Sequence, residues 1–256
     1  VRLDVIPVPA LLTDVSSQVC IVVDVLRASS SIVTMLERGA QEVLVAPTVE
    51  EALRLHRELP AYLLCGEEGG LPPSGFDYGN SPSEFSDLDL ARQRIILCTS
   101  NGTKALLTAA DAPVVLVGCL LNATAVASAA WREAAALGLG IAVVCAGEEG
   151  GSTYAGEDML GAGAIVDAVV DPRRRQAMAA ELTDEARAAL EHYRAQRGRE
   201  EAALRETPHG RDLLALGLGR DLAFCARRDR FAAVPRLERG EGDRLMLRAY
   251  SSGSSG

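Results

Sequence analysis

Glu67 and Glu68 stand between glycines in the run 65–70 (CGEEGG), and Glu148 and Glu149 do the same in 145–151 (CAGEEGG). Each pair closes an apolar run. Like charges this close together call for a cation, or one of them takes up a proton. Hard cations such as Mg²⁺ are held by one or two carboxylates, with waters and substrate phosphate completing the shell. Asp24, Glu67 and Asp158 are the first candidates as metal ligands, because each falls at a strand end or a helix start. Solvated acidic loops are the plain alternative. The repeat also suggests a duplicated half-fold whose acidic groups meet at one site.

Asp24 lies in the apolar run 19–25 (VCIVVDV). A carboxylate buried there needs a partner, a metal or a proton. Arg27 opens the next segment and can face the same crevice, since ligands of open α/β sheets bind just past the carboxyl ends of strands. An internal Asp24–Arg27 ion pair explains the same residues.

A second polar turn, 99–104 (TSNGTK), lies between an apolar strand and a helix. Free N–H groups at a helix start attract anions. Gly102 leaves room at the backbone, Asn101 and Thr103 add side-chain hydrogen bonds, and Lys104 is the only lysine in the chain. A routine strand-to-helix turn fits as well, and the G-x4-G-K spacing of a P-loop is missing. Asn80 and Ser81, in the turn 75–82 (GFDYGNSP), either bind ligand oxygens or pin their loop.

The elements that position these residues alternate. Strands are expected over 19–25, 42–46, 61–65, 94–99, 114–119 and 141–145. Helices are expected over 29–38, 49–58, 102–109, 124–137 and 158–170. Such alternation defines an α/β sheet, and the β-branched runs suit strands buried on both faces. The irregular stretch 66–89, rich in Pro and Gly, reads as a functional loop. One amphipathic helix is expected over 183–205, one or two short helices over 208–226, and a hairpin from 233–239 and 244–250. The expected organisation is a single α/β domain over 1–250, with pseudo-repeat halves at about 15–112 and 113–170 and a helical and hairpin part over 171–250. Residues 251–256, only Ser and Gly, read as a disordered tail or cloning scar.

Net charge is −9 over 256 residues, a poor match to nucleic acid, whose phosphates need clustered cations. No apolar run nears the roughly 20 residues that span a membrane, and no signal-peptide pattern opens the sequence. The six cysteines form no CxxC pair, so reduced, buried, cytoplasmic thiols are expected. His56, His192 and His209 are expected on the surface. The partner is a small anionic substrate, with a homodimer left open.

In order and spacing, 24–30 (DVLRASS), Gly66–Glu67, 75–82 (GFDYGNSP), 100–103 (SNGT), Asn122–Ala123, 145–147 (CAG) and Glu157–Asp158 resemble the motifs of the 2-phosphosulfolactate phosphatase family. Gly210, Leu214, Gly217, Asp221 and Val234–Pro235 fit too, and the resemblance spans nearly the whole chain. Glu68 departs from it where a basic residue is expected, and Glu148–Glu149 where a Thr-Gly-like turn is expected.

The resemblance implies a Mg²⁺-dependent acid phosphatase. It would convert 2-phospho-3-sulfolactate to 3-sulfolactate and phosphate, a step toward coenzyme M. The implied fold is three-layer α/β/α with a mixed, largely parallel sheet and an internal duplication. On this reading Asp24, Arg27 and Glu67 are catalytic, with Asp24 either a metal ligand or a nucleophile forming an aspartyl-phosphate. Asp24, Glu67 and Asp158 hold Mg²⁺. Asn80, Ser81, Asn101, Gly102, Thr103, Lys104 and Asn122 bind substrate. Two rivals keep the same anion-binding residues: a non-catalytic binder of small organic anions, and a phosphatase for another phospho-hydroxy acid.

Overall fold

The computed structural model describes residues 1–171 and 180–250; the Ser/Gly tail lies outside them. The strands are β1 (Arg2–Ile6), β2 (Gln18–Val23), β3 (Glu42–Ala46), β4 (Leu63–Gly66), β5 (Arg94–Cys98), β6 (Val114–Gly118), β7 (Gly140–Cys145), β8 (Glu181–Leu182), β9 (Pro235–Arg239) and β10 (Leu245–Ala249). They form one sheet in the order β4-β5-β3-β10-β9-β6-β2-β7-β1-β8. The fold is therefore α/β, with a mixed, largely parallel ten-stranded sheet flanked by helices.

The sheet contains two parallel blocks. One is β4-β5-β3 and the other β6-β2-β7-β1-β8. The antiparallel hairpin β9–β10 lies between them and pairs antiparallel to β6 on one side and to β3 on the other. Three successive antiparallel steps make the blocks run in opposite senses. A sheet of this width with native twist curls, and residues of both blocks, including Val22, Val45, Leu97 and Val144, pack in one apolar cluster.

The helices that matter for the site follow from local signals. α1 (Ala28–Glu37) starts directly after the β2 turn and α4 (Gly102–Ala109) after the β5 turn. α2 (Val49–Glu58) is capped by the Thr48 hydroxyl, which accepts from Glu51 N–H; such a cap is worth about 1 kcal/mol. α3 (Pro82–Phe85) forms one turn inside the irregular stretch, with Ser81 as N-cap and Pro82 at the first helical position, where the missing N–H costs nothing. α5 (Ala123–Leu137) ends at Gly138 with φ +69°, a left-handed stop suited to Gly. α6 (Gly156–Val170) is buried along nearly its whole length. It packs with α5 and α7 (Asp184–Gln196) over the odd-numbered face of β2, where Val19, Ile21 and Val23 point.

Two expectations need adjustment, and a third resolves within the range expected. The long helix over 183–205 breaks at Arg197–Arg199 into α7 and α8 (Glu200–Glu206), with Gly198 at φ +81° in the break. The segment 208–226 forms two helices, α9 (Pro208–Ala215) and α10 (Gly219–Cys225), separated at Gly217 with φ +79°. β1 was not expected from the sequence, yet it pairs with β7 from Leu3 to Ile6. The two acidic loops turn alike, but the strand order does not establish a duplicated half-fold.

Candidate active site

The carboxyl ends of β2, β4, β5 and β7 converge, and hydrogen bonds between their loops record it. Asp24 follows β2. Its Oδ1 accepts from Ala28 N–H at 3.0 Å, and its own N–H donates to the Ser29 hydroxyl at 2.9 Å. A Cβ on Gly102 would lie 2.8 Å from Asp24 Oδ2 and 2.4 Å from Ala28 Cβ. The space left by this glycine is thus filled by Asp24 itself, whose carboxylate rests on the first turn of α4. That is where a helix favours negative charge.

Asp158 lies in the first turn of α6. Its Oδ1 accepts from Val25 N–H at 2.8 Å and its Oδ2 from Gly147 N–H at 3.0 Å, so it ties the β2 turn to the β7 turn. Glu67 performs the same service between β4 and β5. Its Oε1 accepts from Ser100 N–H at 2.8 Å and its Oε2 from Gly70 N–H at 2.9 Å.

The buried carboxyls repel one another. Burial pushes Asp24 up to about 6; Glu67 and Glu157 add to the rise, while His209 and the Ala28 N–H oppose it. Burial holds Asp158 well above the usual carboxylate range, with Asp24 and Glu157 pushing the same way. Glu157 is 2% exposed, and its Oε2 has no hydrogen-bond partner among the described residues. Its Oε1 lies 3.4 Å from His209 Nδ1.

Arg27 is also buried. The alternative Asp24–Arg27 ion pair does not form: Arg27 pairs with Asp221 at 2.9 Å, with the other guanidinium nitrogen on Gly70 O at 2.6 Å. Asp221, from α10, further accepts from the hydroxyls of Ser81 at 2.7 Å and Ser83 at 2.6 Å. Arg27 therefore braces the first acidic loop against α10, and Ser81 holds that brace while capping α3.

A cavity of about 260 Å³ opens among these parts. It is lined by Glu67, Gly69 and Gly70 of the first acidic loop, Ser100 and Asn101 of the α4 turn, Glu148 of the second acidic loop, and His209, Asp212 and Leu213 of α9 with its C-cap Leu216. Asp24 and Asp158 lie behind this lining, at 6% and 2% exposure. Burial pushes Glu148 up, with Glu157 adding to the rise.

The remaining expected site residues divide. Asn101 lines the cavity, and its Oδ1 accepts from Gly150 N–H at 2.8 Å, linking the α4 turn to the second acidic loop. Lys104 is exposed beside the same loop: a Cβ on Gly150 would lie 3.1 Å from its Nζ. The buried Thr103 hydroxyl donates inward to Thr99 O at 2.7 Å. Asn122 is fully buried and spends its amide on Cys119 N–H, Val117 O and Ala233 O, pinning the β6 end to the approach to β9. Asn80 is buried as well; its side-chain Oδ1 has no partner.

His209 departs from its expected surface position. Its side chain is 27% exposed, and it lies against the buried Glu157. The signal available in the sequence was Thr207–Pro208 just ahead of it. This pair is a helix start that fixes His209 in the first turn of α9, where the Thr207 hydroxyl caps Gly210 N–H.

Among the described residues no group of three or more His, Cys, Asp and Glu side chains is disposed to hold a metal ion. The donors present still fit Mg²⁺, which takes one or two carboxylates and fills its shell with waters and phosphate oxygens. Burial raises the proton affinity of Asp24 and Asp158, and a cation can take the place of such a proton; Glu67 lines the cavity beside them.

Fold and site together define an α/β protein with an acidic, ligand-sized cavity at converging strand ends, the usual location for ligands in this architecture. The chain belongs to the 2-phosphosulpholactate phosphatase family, whose model matches residues 7–240. This is a family of phosphoric monoester hydrolases. A protein of Deinococcus radiodurans described as a probable 2-phosphosulfolactate phosphatase is 39% identical, across 87% of this chain and 89% of its own. Relatives with the same description occur in Carboxydothermus hydrogenoformans, 33% identical across 96% of this chain and 97% of its own, and Thermotoga petrophila, 34% identical across 93% and 96%.

Proposed function

We propose that this protein is a Mg²⁺-dependent phosphatase of a small phosphorylated acid, with 2-phospho-3-sulfolactate hydrolysed to 3-sulfolactate and phosphate. The names of its relatives support the substrate. The observation that carries the chemistry is the buried Asp24–Asp158 pair behind a cavity rimmed by Glu67. A bound Mg²⁺ offsets the negative charge of the carboxylates and of the phosphoryl group.

Asp24, Glu67 and Asp158 hold the metal, and the Ala28 N–H at the start of α1 orients Asp24. Asp24 acts either as a ligand alone or as the nucleophile that receives the phosphoryl group. Ser100 and Asn101 present polar groups to the substrate. Lys104, beside the second acidic loop, supplies the nearby positive charge for a sulfonate or carboxylate. Arg27 keeps Gly70 and the first acidic loop in place, so that Glu67 stays on its backbone donors. Six buried, unbridged cysteines support a cytoplasmic setting.

The test is phosphate release from a panel of small phosphorylated acids, with and without Mg²⁺. Release should stop in EDTA, return with Mg²⁺, and fall by at least about 10³-fold in Asp24→Asn, as for loss of a central charged group. Full activity in EDTA removes the metal from this reading, and an active Asp24→Asn variant removes Asp24.

A further inference from the structure

We propose that His209 is a catalytic residue, delivering a proton from Nε2 to the ester oxygen as the phosphorus–oxygen bond breaks, and that the buried Glu157 is the positioning residue that fixes its ring. This rests on the phosphatase reading above.

Three observations carry it. His209 lines the cavity together with Glu67, Ser100 and Asn101, so it borders whatever occupies that volume. Its Nδ1 is turned to Glu157 Oε1 at 3.4 Å, which leaves Nε2 as the nitrogen available to a ligand. Glu157 is 2% exposed, its Oε2 lacks a hydrogen-bond partner among the described residues, and it comes from a different helix, α6. A buried carboxylate left half-satisfied is costly, and its one charged neighbour in contact is this imidazole. A carboxylate–imidazole pair of this kind sets tautomer and orientation and stabilises the charged ring.

The charged groups facing the ring favour its protonated form. Burial lowers its affinity for the proton, but the Glu157 hydrogen bond and charge, and then Asp24, outweigh burial and the opposing Arg27, so the pKa ends above 6.5. Glu148 from the β7 loop, Asp212 from α9 itself and Glu67 from the first acidic loop are the other ionisable groups of the lining. A phosphomonoester of an alkyl alcohol has a poor leaving group, and a proton source near neutral pH is worth about 10²- to 10⁴-fold there.

The step balances. The nucleophile's electron pair forms the new bond to phosphorus, and the pair of the broken bond stays on the ester oxygen. That oxygen takes the Nε2 proton and leaves as the alcohol. In the second half the incoming water gives one proton back to the neutral imidazole and its hydroxide to phosphorus, while the bond between phosphorus and the Asp24 carboxylate breaks with its electron pair returning to that oxygen, releasing phosphate.

The experiment compares two substrates in His209→Asn and His209→Gln: an alkyl phosphomonoester acid and p-nitrophenyl phosphate, whose leaving group needs no proton. The expected kcat loss is about 10²-fold or more for the alkyl ester and under about tenfold for the aryl ester. Equal losses on both, or no loss on the alkyl ester, overturn the assignment. Two variants guard against one that fails to fold, with thermal unfolding as the check. Glu157→Gln should move the alkaline limb of the kcat/KM profile to lower pH; an unmoved limb at reduced kcat makes Glu157 merely structural. If the wild type hydrolyses neither ester, the phosphatase reading fails instead, so the two failures are distinguishable.

Discussion

The two Gly-Glu-Glu-Gly-Gly loops have nearly the same residues and different jobs. In each, a strand runs into a tight turn closed by a short antiparallel bridge, Glu68 with Leu71 in one and Glu148 with Thr153 in the other. The inserted Ala146 shifts the second loop by one residue. In the first loop the residue before the bridge is Glu67, and its carboxylate reaches the α4 turn. In the second that place belongs to Gly147, which has no side chain to offer and gives its N–H to Asp158 instead. Chemistry that one loop carries on its own side chain, the other borrows from the helix that follows. A one-residue offset is enough to separate a repeat in sequence from a repeat in function.

The largest expected contrast is in activity. Glu67→Gln should lower kcat by about 10²-fold or more, because it removes a charge from the proposed Mg²⁺ site and weakens the bonds to Ser100 and Gly70. Glu148→Gln, its counterpart by motif, should cost under about tenfold. Phosphate-release kinetics on the two variants measure this, and equal losses would restore the loops to equivalence.

Next comes backbone tolerance. A Cβ on Gly147, at φ +67°, would lie 2.5 Å from Thr153 O, whereas one on Gly69, at φ +61°, meets nothing within 4 Å. Gly147→Ala should therefore lose about 2–3 kcal/mol, from left-handed strain plus a backbone clash, and Gly69→Ala about 1 kcal/mol, from strain alone. Urea unfolding gives both values.

The third contrast is a linkage between protons and Mg²⁺. Asp24 has its folded pKa raised from 3.8 to about 6. The folded state therefore holds this proton more tightly than the unfolded chain. The group's contribution to stability is greatest at low pH and is lost as pH rises through about 6. In the proposed function Mg²⁺ competes with that proton. The rise in Tm on adding Mg²⁺ should be larger at about pH 7.5 than at about pH 5, and Asp24→Asn should flatten the difference. Differential scanning calorimetry at the two pH values decides it. The smallest effects belong to the outward pair: Glu68→Ala and Glu149→Ala should each move Tm by no more than about 1–2 °C.

Much of this was legible from residue order. β-branched runs announced β2, β3, β5, β6 and β7, and the ordered motifs announced the family. Strand ends and helix starts were what drew attention to Asp24, Glu67 and Asp158. What could not be read was where polar side chains spend their hydrogen bonds. Asn122 looked available for substrate, but the end of β6 and the approach to β9 use its whole amide. Arg27 looked free to face a ligand, but Asp221, 194 residues away in sequence, reaches it through α10. His209 looked like surface for the same reason: the helix that turns it inward meets Glu157 only in three dimensions. Local pattern fixes elements, while long-range pairing decides which polar group is left over for a ligand.

The hairpin β9–β10 has a consequence for assembly. It lies in the middle of the sheet, although its strands lie far along the chain from the ones they join: Met246 pairs with Leu44, and Arg236 with Leu116. During synthesis both parallel blocks are made before the residues that connect them. Until then β3 and β6 present open edges, which invite pairing with other chains. Contacts this distant in sequence also slow folding. The active site, with Glu67 from one block and Asp24 from the other, cannot be complete before that last seam closes. Nascent chains stopped short of β9 should therefore be inactive and prone to aggregate, however well each block has formed.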